Sequence, residues 1–69
     1  MTFDRQADAA YIYLRDIAAG EAAVQHVIDE PDLPMIVLDL DRDGRLLGIE
    51  VLEATRALPE GVLDEAERP

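Results

Sequence analysis

The chain of 69 residues carries sixteen acidic residues against six basic ones, which gives a formal net charge of −10. Nucleic acids and anionic membranes draw much of their affinity for proteins from basic groups, so this charge argues against both kinds of partner. The chain lacks serine, cysteine and lysine. That composition excludes disulfides and removes the usual nucleophiles of covalent catalysis. We therefore predict that the protein is not an enzyme and binds no cofactor.

The length predicts a single domain over residues 1–69. A chain this short buries only about 60% of the surface that it exposes when unfolded, and a partner subunit is a common source of additional stability. No terminal segment joins basic residues to a long apolar run, so the sequence shows neither a signal peptide nor a membrane span. We expect a cytoplasmic protein.

The first predicted elements are a short extended piece, a turn and a strand. Asp4 and Asp8 bracket the turn and suit turn or cap positions, because their carboxylates can accept hydrogen bonds from nearby backbone N–H groups. A helix over residues 7–15 is the competing interpretation, but the aromatic and β-branched segment YIY favours a strand from Ala10 to Arg15. Alternation divides this strand into two faces, with Ala10, Ile12 and Leu14 against Tyr11, Tyr13 and Arg15.

Residues 23–29, AVQHVID, predict the next strand, which Gly20 separates from the first by a turn. Val24, His26 and Ile28 would share one face of it. Two prolines in the following segment EPDLP exclude a helix interior and a central strand. We predict a loop or a sheet edge there.

Two apolar segments, MIVLDLD and RLLGIEVLE, flank residues 41–44 and predict a β-hairpin. Gly44 suits the left-handed position that closes a type I turn with a G1 bulge. Both faces of this hairpin carry large apolar side chains, which indicates a sheet whose two faces must both be covered by other parts of the protein or by a partner. The predicted faces are Ile36, Leu38 and Leu40 on one side, and Met35, Val37, Ile49 and Val51 on the other.

The C-terminal segment PEGVLDEAE, residues 59–67, predicts a short helix that can supply one cover. The predicted fold is therefore α+β: a small antiparallel β-meander of about four strands with a short C-terminal helix. One small helix covers little of a sheet, so we expect a second subunit and predict a homodimer. Amphipathic rings are favoured at subunit contacts, and the predicted interface consists of Tyr11, Tyr13, Met35, Val37, Ile49 and Val51.

The segment Asp39–Glu50 fits the calcium-loop pattern of an EF-hand, but we interpret it as a hairpin turn. Pro34 and the β-branched residues after it argue against an entering helix. In a hairpin, Glu50 would lie about three residues beyond the position opposite Asp39, roughly 10 Å along the strand. Calcium–oxygen bonds are only about 2.3–2.6 Å long. The alternative that stays open is weak cation binding by Asp39, Asp41 and Asp43 without Glu50.

Three other positions carry expectations about local structure. Gly48 within a strand indicates a bulge or the close approach of Tyr11 or Tyr13. Glu50 lies between two apolar residues and is expected to need a partner, either Arg15 or Arg56. His26 is interpreted as a partly buried strand residue, because a role as general base requires a partner in a pocket.

The lowest-ranked of three functional hypotheses is a hydrolase that uses carboxylates and a histidine. Asp4, Asp8 and Glu50 could supply its paired carboxylates and His26 its base. Nothing in the spacing of these residues requires them to meet, so no catalytic residue is predicted.

Two blocks of the sequence resemble a known family. FDRQADAAYIYL is similar to an opening of the form Tyr-Asp-x-x-x-Asp-x-x-Tyr-Ile, with Phe3 in place of the first tyrosine. DLDRDGRLLGIEVLEAT resembles an Asp-rich turn followed by Gly-Ile-Glu and by Ala-Ser or Ala-Thr. From Thr2 to Leu58 the chain thus resembles the small bacterial proteins grouped as domain of unknown function 2283. The resemblance implies a compact β-meander with a C-terminal helix, and it implies no activity, cofactor or catalytic residue.

The leading functional hypothesis is a small cytosolic β-rich domain that acts through protein contacts as a homodimer. The alternative is a weak divalent-cation or small-ligand binding module that uses the acidic turn Asp39–Asp43.

Overall fold

The computed structural model describes residues 1–18 and 20–66, and within them five strands form one antiparallel sheet. The order across the sheet is β1-β2-β5-β4-β3, so β1 and β3 are its edges. The α+β class is confirmed, with five strands rather than about four, because the N-terminal extended piece pairs with β2. The strands are β1 (Thr2–Asp4), β2 (Ala9–Tyr13), β3 (Val24–Ile28), β4 (Ile36–Leu40) and β5 (Leu46–Leu52).

The predicted turn between β4 and β5 is confirmed. Gly44 has φ +83°, and its N–H donates to the Asp41 carbonyl at 3.1 Å. The Asp41 N–H donates to the Arg45 carbonyl at 2.9 Å. The Asp41 carboxylate also accepts the Asp43 and Arg45 N–H groups at 2.9 Å. Asp41 therefore organises the turn with both its backbone and its side chain.

A bulge in β5 changes which residues share a face. Leu40 pairs with Leu46 while Asp39 pairs with Gly48, so Leu47 is an extra residue on β5. Because alternation has a period of two, one inserted residue moves the rest of the strand to the other face. The prediction that Ile49 and Val51 lie with Met35 and Val37 is therefore wrong. Leu38 is opposite Ile49, and Ile36 is opposite Val51.

The register defines two faces, which we call the helix face and the tyrosine face. The helix face carries Phe3, Ala10, Ile12, Val24, His26, Ile28, Ile36, Leu38, Leu40, Ile49 and Val51. The tyrosine face carries Thr2, Tyr11, Tyr13, Gln25, Val27, Val37, Asp39, Gly48 and Glu50.

The C-terminal segment begins its helical structure earlier than predicted. Helix α1 spans Ala54–Ala57, directly after β5, and a 3₁₀ helix spans Val62–Glu65. The continuous helix predicted over residues 59–67 is not observed up to residue 66, and Glu67 lies outside the described residues. Pro59 cannot extend α1, and Gly61 has φ +89°, which breaks helical geometry. Neither helical segment in the described chain is long and apolar enough to cross a membrane.

The buried core lies at one end of the molecule. Phe3, Ala10, Val51 and Ala54 form it, and each is at most 6% exposed. The partly buried residues that pack on it come from the N-terminus, β2, β5 and the C-terminal segment. All five residues of β3 are exposed. The C-terminal segment therefore covers the helix face over β1, β2 and β5 and leaves its β3 side open.

Candidate functional site

The centre of the tyrosine face is built around Gly48. The Tyr11 ring on β2 crosses β5 at this glycine, and its hydroxyl donates to Asp39 Oδ2 on β4 at 2.7 Å. A Cβ at position 48 would lie 2.6 and 2.7 Å from Cζ and Cε1 of the Tyr11 ring, closer than van der Waals contact allows. The predicted close approach of a tyrosine to Gly48 is confirmed.

Asp39 is a buried carboxylate whose two oxygens are both hydrogen-bonded. Its side chain is 7% exposed. Gln25 Nε2 on β3 donates to Asp39 Oδ1 at 3.1 Å, while Tyr11 occupies Oδ2. We call Tyr11, Gly48, Asp39 and Gln25 the polar bridge. Because its members come from β2, β5, β4 and β3, it ties four adjacent strands together on one face.

The polar bridge holds Tyr11 in its neutral form. Burial, the hydrogen bond to Asp39 and the charges of Asp39 and Glu50 together raise the pKa of Tyr11 to about 12. The hydroxyl is therefore a donor at neutral pH and is poorly suited to act as a base or nucleophile. Tyr13 stacks on Tyr11 with ring centroids 6.5 Å apart and an interplanar angle of 25°, which extends the aromatic surface along β2.

The structure does not bring the three metal candidates together. Asp39 bonds to Tyr11 and Gln25, Asp41 bonds to turn N–H groups, and exposed Asp43 lies 4.0 Å from the Arg45 guanidinium. Between residues 1 and 66, Ala19 apart, no group of three or more carboxylate, histidine or cysteine side chains is placed to hold a metal ion.

The EF-hand interpretation is excluded because residues 39–50 form two paired strands and their turn. Gly48 is the residue opposite Asp39, so Glu50 lies two residues beyond that position rather than three. The bulge at Leu47 accounts for the difference.

Asp8 connects the start of the chain to the start of α1. It has φ +51°, and its carbonyl accepts the Ala54 N–H at 2.9 Å. Its carboxylate accepts the Thr55 N–H at 3.0 Å and the Thr55 hydroxyl at 2.9 Å. Helix α1 is thus capped from a distant part of the sequence, since its own N-cap Glu53 provides no side-chain bond. Asp4, as predicted, accepts the N–H groups of its own turn, from Gln6 and Ala7.

Two expectations about charged residues are wrong. Arg15 pairs with Glu21 rather than with Glu50, and this contact lowers the pKa of the Glu21 carboxyl. Arg56 pairs with Glu53 at 3.2 Å and donates to the Asp32 carbonyl. Arg56 belongs to α1, which packs on the helix face, whereas Glu50 lies on the tyrosine face of β5.

The expected burial of His26 is also wrong, since the whole of β3 is exposed. The three carboxylates of the hydrolase hypothesis do not meet in one site. Asp4 and Glu50 line one shallow depression of about 210 Å³, whereas Asp8 bonds to Thr55 beside a different one.

The predicted interface residues divide between the two faces. Tyr11, Tyr13 and Val37 lie on the tyrosine face, and Val37 is largely buried. Ile49 and Val51 lie on the helix face, where Val51 belongs to the core. Met35 precedes β4 and its carbonyl accepts the Leu52 N–H at 3.0 Å. The predicted set is not one continuous patch, and its contact with another chain stays a prediction.

The most exposed apolar strand is one that this predicted interface did not include. Val24, Val27 and Ile28 on β3 are 49%, 50% and 37% exposed. We call the five residues Val24–Ile28 the β3 surface. Its signal in the sequence is a five-residue β-type segment without an acid, an arginine, a proline or a glycine, within a chain of which 32% is charged.

Comparison with known proteins identifies a family. Residues 1–54 match the family described as "Protein of unknown function (DUF2283)". No curated protein and no solved structure matches the chain. The two sequence blocks that carry the family resemblance meet in the fold: Tyr11 of the first lies on Gly48 of the second, and Asp8 binds Thr55. These residues therefore hold the fold together.

Proposed function

We propose that this chain, which belongs to the DUF2283 family, is a protein-interaction domain that acts as a homodimer. The observation that carries the proposal is the β3 surface, where three large apolar side chains are exposed together on one strand. Burying apolar surface contributes roughly 25 cal/mol per Å². A second copy that covers this strand would recover the burial that the short chain does not achieve alone.

The charge distribution supports contact at the same place. Two copies with a formal charge of −10 each repel one another, so the contact has to form where charges are fewest. The β3 surface holds no acid and no arginine. By contrast, the tyrosine face presents Glu50 beside Tyr11. Contact through β3 therefore places less negative charge between the copies than contact at Tyr11 and Glu50 would.

The polar bridge supports a structural role for the buried polar residues. Both Asp39 oxygens already accept hydrogen bonds, and the raised pKa keeps the Tyr11 hydroxyl protonated. These groups join β2, β5, β4 and β3, and they therefore restrain the position of the β3 surface. Cation binding by the acidic turn stays a prediction, and the separate hydrogen bonds of Asp39 and Asp41 do not favour it. A cytoplasmic location is also proposed, because a chain without cysteine is compatible with a reducing compartment.

The proposal is tested by light scattering after gel filtration over a range of protein concentrations. We expect a dimer for the native chain at micromolar concentration. Val24→Glu should raise the dimer dissociation constant at least tenfold, because it places a charge in the contact. Val62→Glu is the matched control: Val62 is also an exposed valine and gains the same charge, but it lies on the C-terminal segment. It should change the dissociation constant less than twofold.

Two results would contradict the proposal. One is a monodisperse monomer of the native chain at tens of micromolar. The other is an equal weakening of the dimer by both substitutions, which would show that added negative charge acts through general repulsion and not through the β3 surface.

A further inference from the structure

The outer edge of β3 presents unpaired backbone groups in a defined pattern. The Leu52 N–H donates to the Met35 carbonyl, so residues 35, 37 and 39 direct their backbone groups toward β5. Alternation then directs Ile36, Leu38 and Leu40 toward β3. Their partners Ile28, His26 and Val24 are used in that ladder. The N–H and C=O groups of Gln25 and Val27 consequently point outward, away from the sheet.

This edge lacks the features that usually prevent strands from pairing between molecules. Sheet edges are commonly protected by charged residues, prolines, bulges or very short strands. The edge strand β1 is three residues long and ends in Asp4. The edge strand β3 is five residues long, all of them exposed and uncharged, with no proline or glycine. Only the β3 edge is thus open to another strand within the described sheet.

We propose that two copies of this chain join by antiparallel pairing of β3 with β3, with the twofold axis at His26. The inference rests on the proposed homodimer and specifies its geometry. Of the possible twofold registers, the one centred on His26 pairs all five residues of the strand. It joins the two five-stranded sheets into one continuous sheet.

The register matches the hydrogen-bonding pattern of the free edge. Centring on His26 places Gln25 opposite Val27 of the second copy, and these are the residues whose backbone groups point outward. Both symmetry-related pairs therefore form full hydrogen-bonded pairs. Val24 comes to lie opposite Ile28 of the second copy, so the apolar helix face continues across the axis. His26 lies opposite His26 of the second copy as a non-hydrogen-bonded pair.

The charges that flank β3 are compatible with this register. Asp29 and Glu30 follow the strand, while Ala22 and Ala23 precede it. Antiparallel pairing about His26 puts Asp29 opposite Ala23 of the second copy and Glu30 opposite Ala22. Acids thus oppose small neutral side chains, and no two acids of β3 or its flanks are placed directly opposite one another, where like charges destabilise a sheet.

Single cysteines test the register, because the native chain contains no cysteine. Non-hydrogen-bonded partners have Cα atoms about 4.5 Å apart, and disulfides need a Cα separation of about 4.4–6.8 Å. His26→Cys should therefore form a disulfide-linked dimer under mild oxidation. Gln25→Cys and Val27→Cys are matched controls on the same strand. Each would lie two residues out of register with its own copy, at a Cα separation of roughly 8–9 Å, and should cross-link at least tenfold more slowly.

The outcomes separate this inference from the proposed dimer. Rapid cross-linking of His26→Cys alone supports the register. A native dimer in which Gln25→Cys or Val27→Cys cross-links as fast as His26→Cys overturns the register but leaves the dimer in place. A native monomer overturns both. If His26→Cys fails to fold, Val24→Cys mixed with Ile28→Cys supplies the second test: the mixture should yield the heterodimeric disulfide faster than either variant alone yields its homodimer, and equal rates would overturn the register.

Discussion

The two edges of the sheet differ in almost every respect. At the β1 edge, Phe3 lies under the C-terminal segment in the buried core, and the strand is short and ends in an acid. At the β3 edge, every residue is exposed and uncharged. The difference shows how a chain of 69 residues distributes the apolar side chains that it buries. It completes a core at one edge and leaves the other as a surface that another chain can cover.

The cause lies in chain order and length. The C-terminal segment begins immediately after β5. The Asp8 carboxylate accepts a hydrogen bond from Thr55 and so holds the start of α1 next to β1 and β2. A four-residue helix spans only about 6 Å at roughly 1.5 Å per residue. From this capped start the C-terminal segment packs on the core residues of β5, β2 and β1. The strand order places β4 between this segment and β3, so β3 stays beyond its reach.

Truncating one large side chain at each edge gives the strongest contrast. Phe3→Ala should reduce the free energy of unfolding by about 3–5 kcal/mol, because it removes a buried aromatic ring from the core. For a domain of this size that loss is comparable to the whole stability. Ile28→Ala at the exposed edge should cost the isolated subunit less than about 1 kcal/mol. Urea unfolding at one fixed low protein concentration, where subunits are dissociated, measures both.

A loss of more than about 2 kcal/mol from Ile28→Ala under these conditions would contradict the exposed position of the β3 edge. It would mean that the β3 edge is part of the core of the isolated subunit. Leu63→Ala, at a partly buried residue packed on the core, serves as an intermediate reference.

A methyl group at Gly48 tests the polar bridge, which ties the open edge strand β3 to the middle of the sheet. Gly48→Ala should destabilise the domain by about 1–3 kcal/mol, as overpacking commonly does. The Tyr11 ring would have to leave its place on β5, and Asp39 would lose the hydroxyl that it accepts. Thermal and urea unfolding measure the effect.

Tyr11→Ala provides the control, because it removes the ring that the methyl group would strike. In that background Gly48→Ala should cost at least about 1 kcal/mol less than in the native chain. Additive losses in this double-mutant cycle would show that Tyr11 and Gly48 do not act together.

The contrast between the edges was only partly visible in the sequence. Local patterns gave the strands, the turn at Gly44 and the approach of a tyrosine to Gly48, because each depends on alternation or on a glycine at a fixed position. The bulge at Leu47 lies beside Gly48, which indicated a bulge or a close approach without deciding between them or fixing the register. It arises where the turn geometry and the pairing of Asp39 with Gly48 compete over the register. Because the predicted register does not include the bulge, it puts Ile49 and Val51 on the wrong face, and the predicted interface is divided between the two faces.

Long-range polar contacts were also beyond local reasoning. Asp8 suits a turn or cap position with bonds to nearby backbone N–H groups, yet its carboxylate caps α1 at the distant Thr55. Local signals predict a helix that begins near Pro59. The observed α1 instead depends on a cap from Asp8, whose carbonyl accepts the Ala54 N–H. Such a cap has no periodicity or spacing in the sequence. It becomes visible only when the sheet brings β2 beside β5.

Removing the cap at Asp8 should have a smaller effect than the changes in the core. Asp8→Ala should cost about 1–2 kcal/mol, within the range known for helix caps, since Thr55 loses both of its bonds to the carboxylate. Asp8→Asn keeps one acceptor oxygen and tolerates the left-handed backbone at φ +51°, so it should cost less than half as much. Urea unfolding compares the three proteins, and equal losses for both variants would contradict the capping role.

The smallest expected effect is the pH dependence that Tyr11 imposes on the middle of the sheet. The pKa of Tyr11 is raised to about 12 in the folded chain, whereas an unfolded tyrosine ionises near pH 10. The neutral hydroxyl is therefore favoured by folding. Its contribution is fully present below about pH 10 and is lost as the pH rises toward the folded value. We expect a loss of about 1 kcal/mol over this interval, less than the full linkage value because water still reaches part of the ring.

The chain contains two tyrosines and no tryptophan, so Tyr13→Phe leaves Tyr11 as the single titrating phenol. The ultraviolet absorbance of its tyrosinate, followed in the folded protein, then reports the pKa directly. The stability of Tyr11→Phe should vary less than that of the native chain between about pH 10 and the folded pKa. Titration of the folded Tyr13→Phe protein near pH 10 would show that the hydroxyl is not held by Asp39. In that case the polar bridge would not join β2 to β4 and the open edge strand β3.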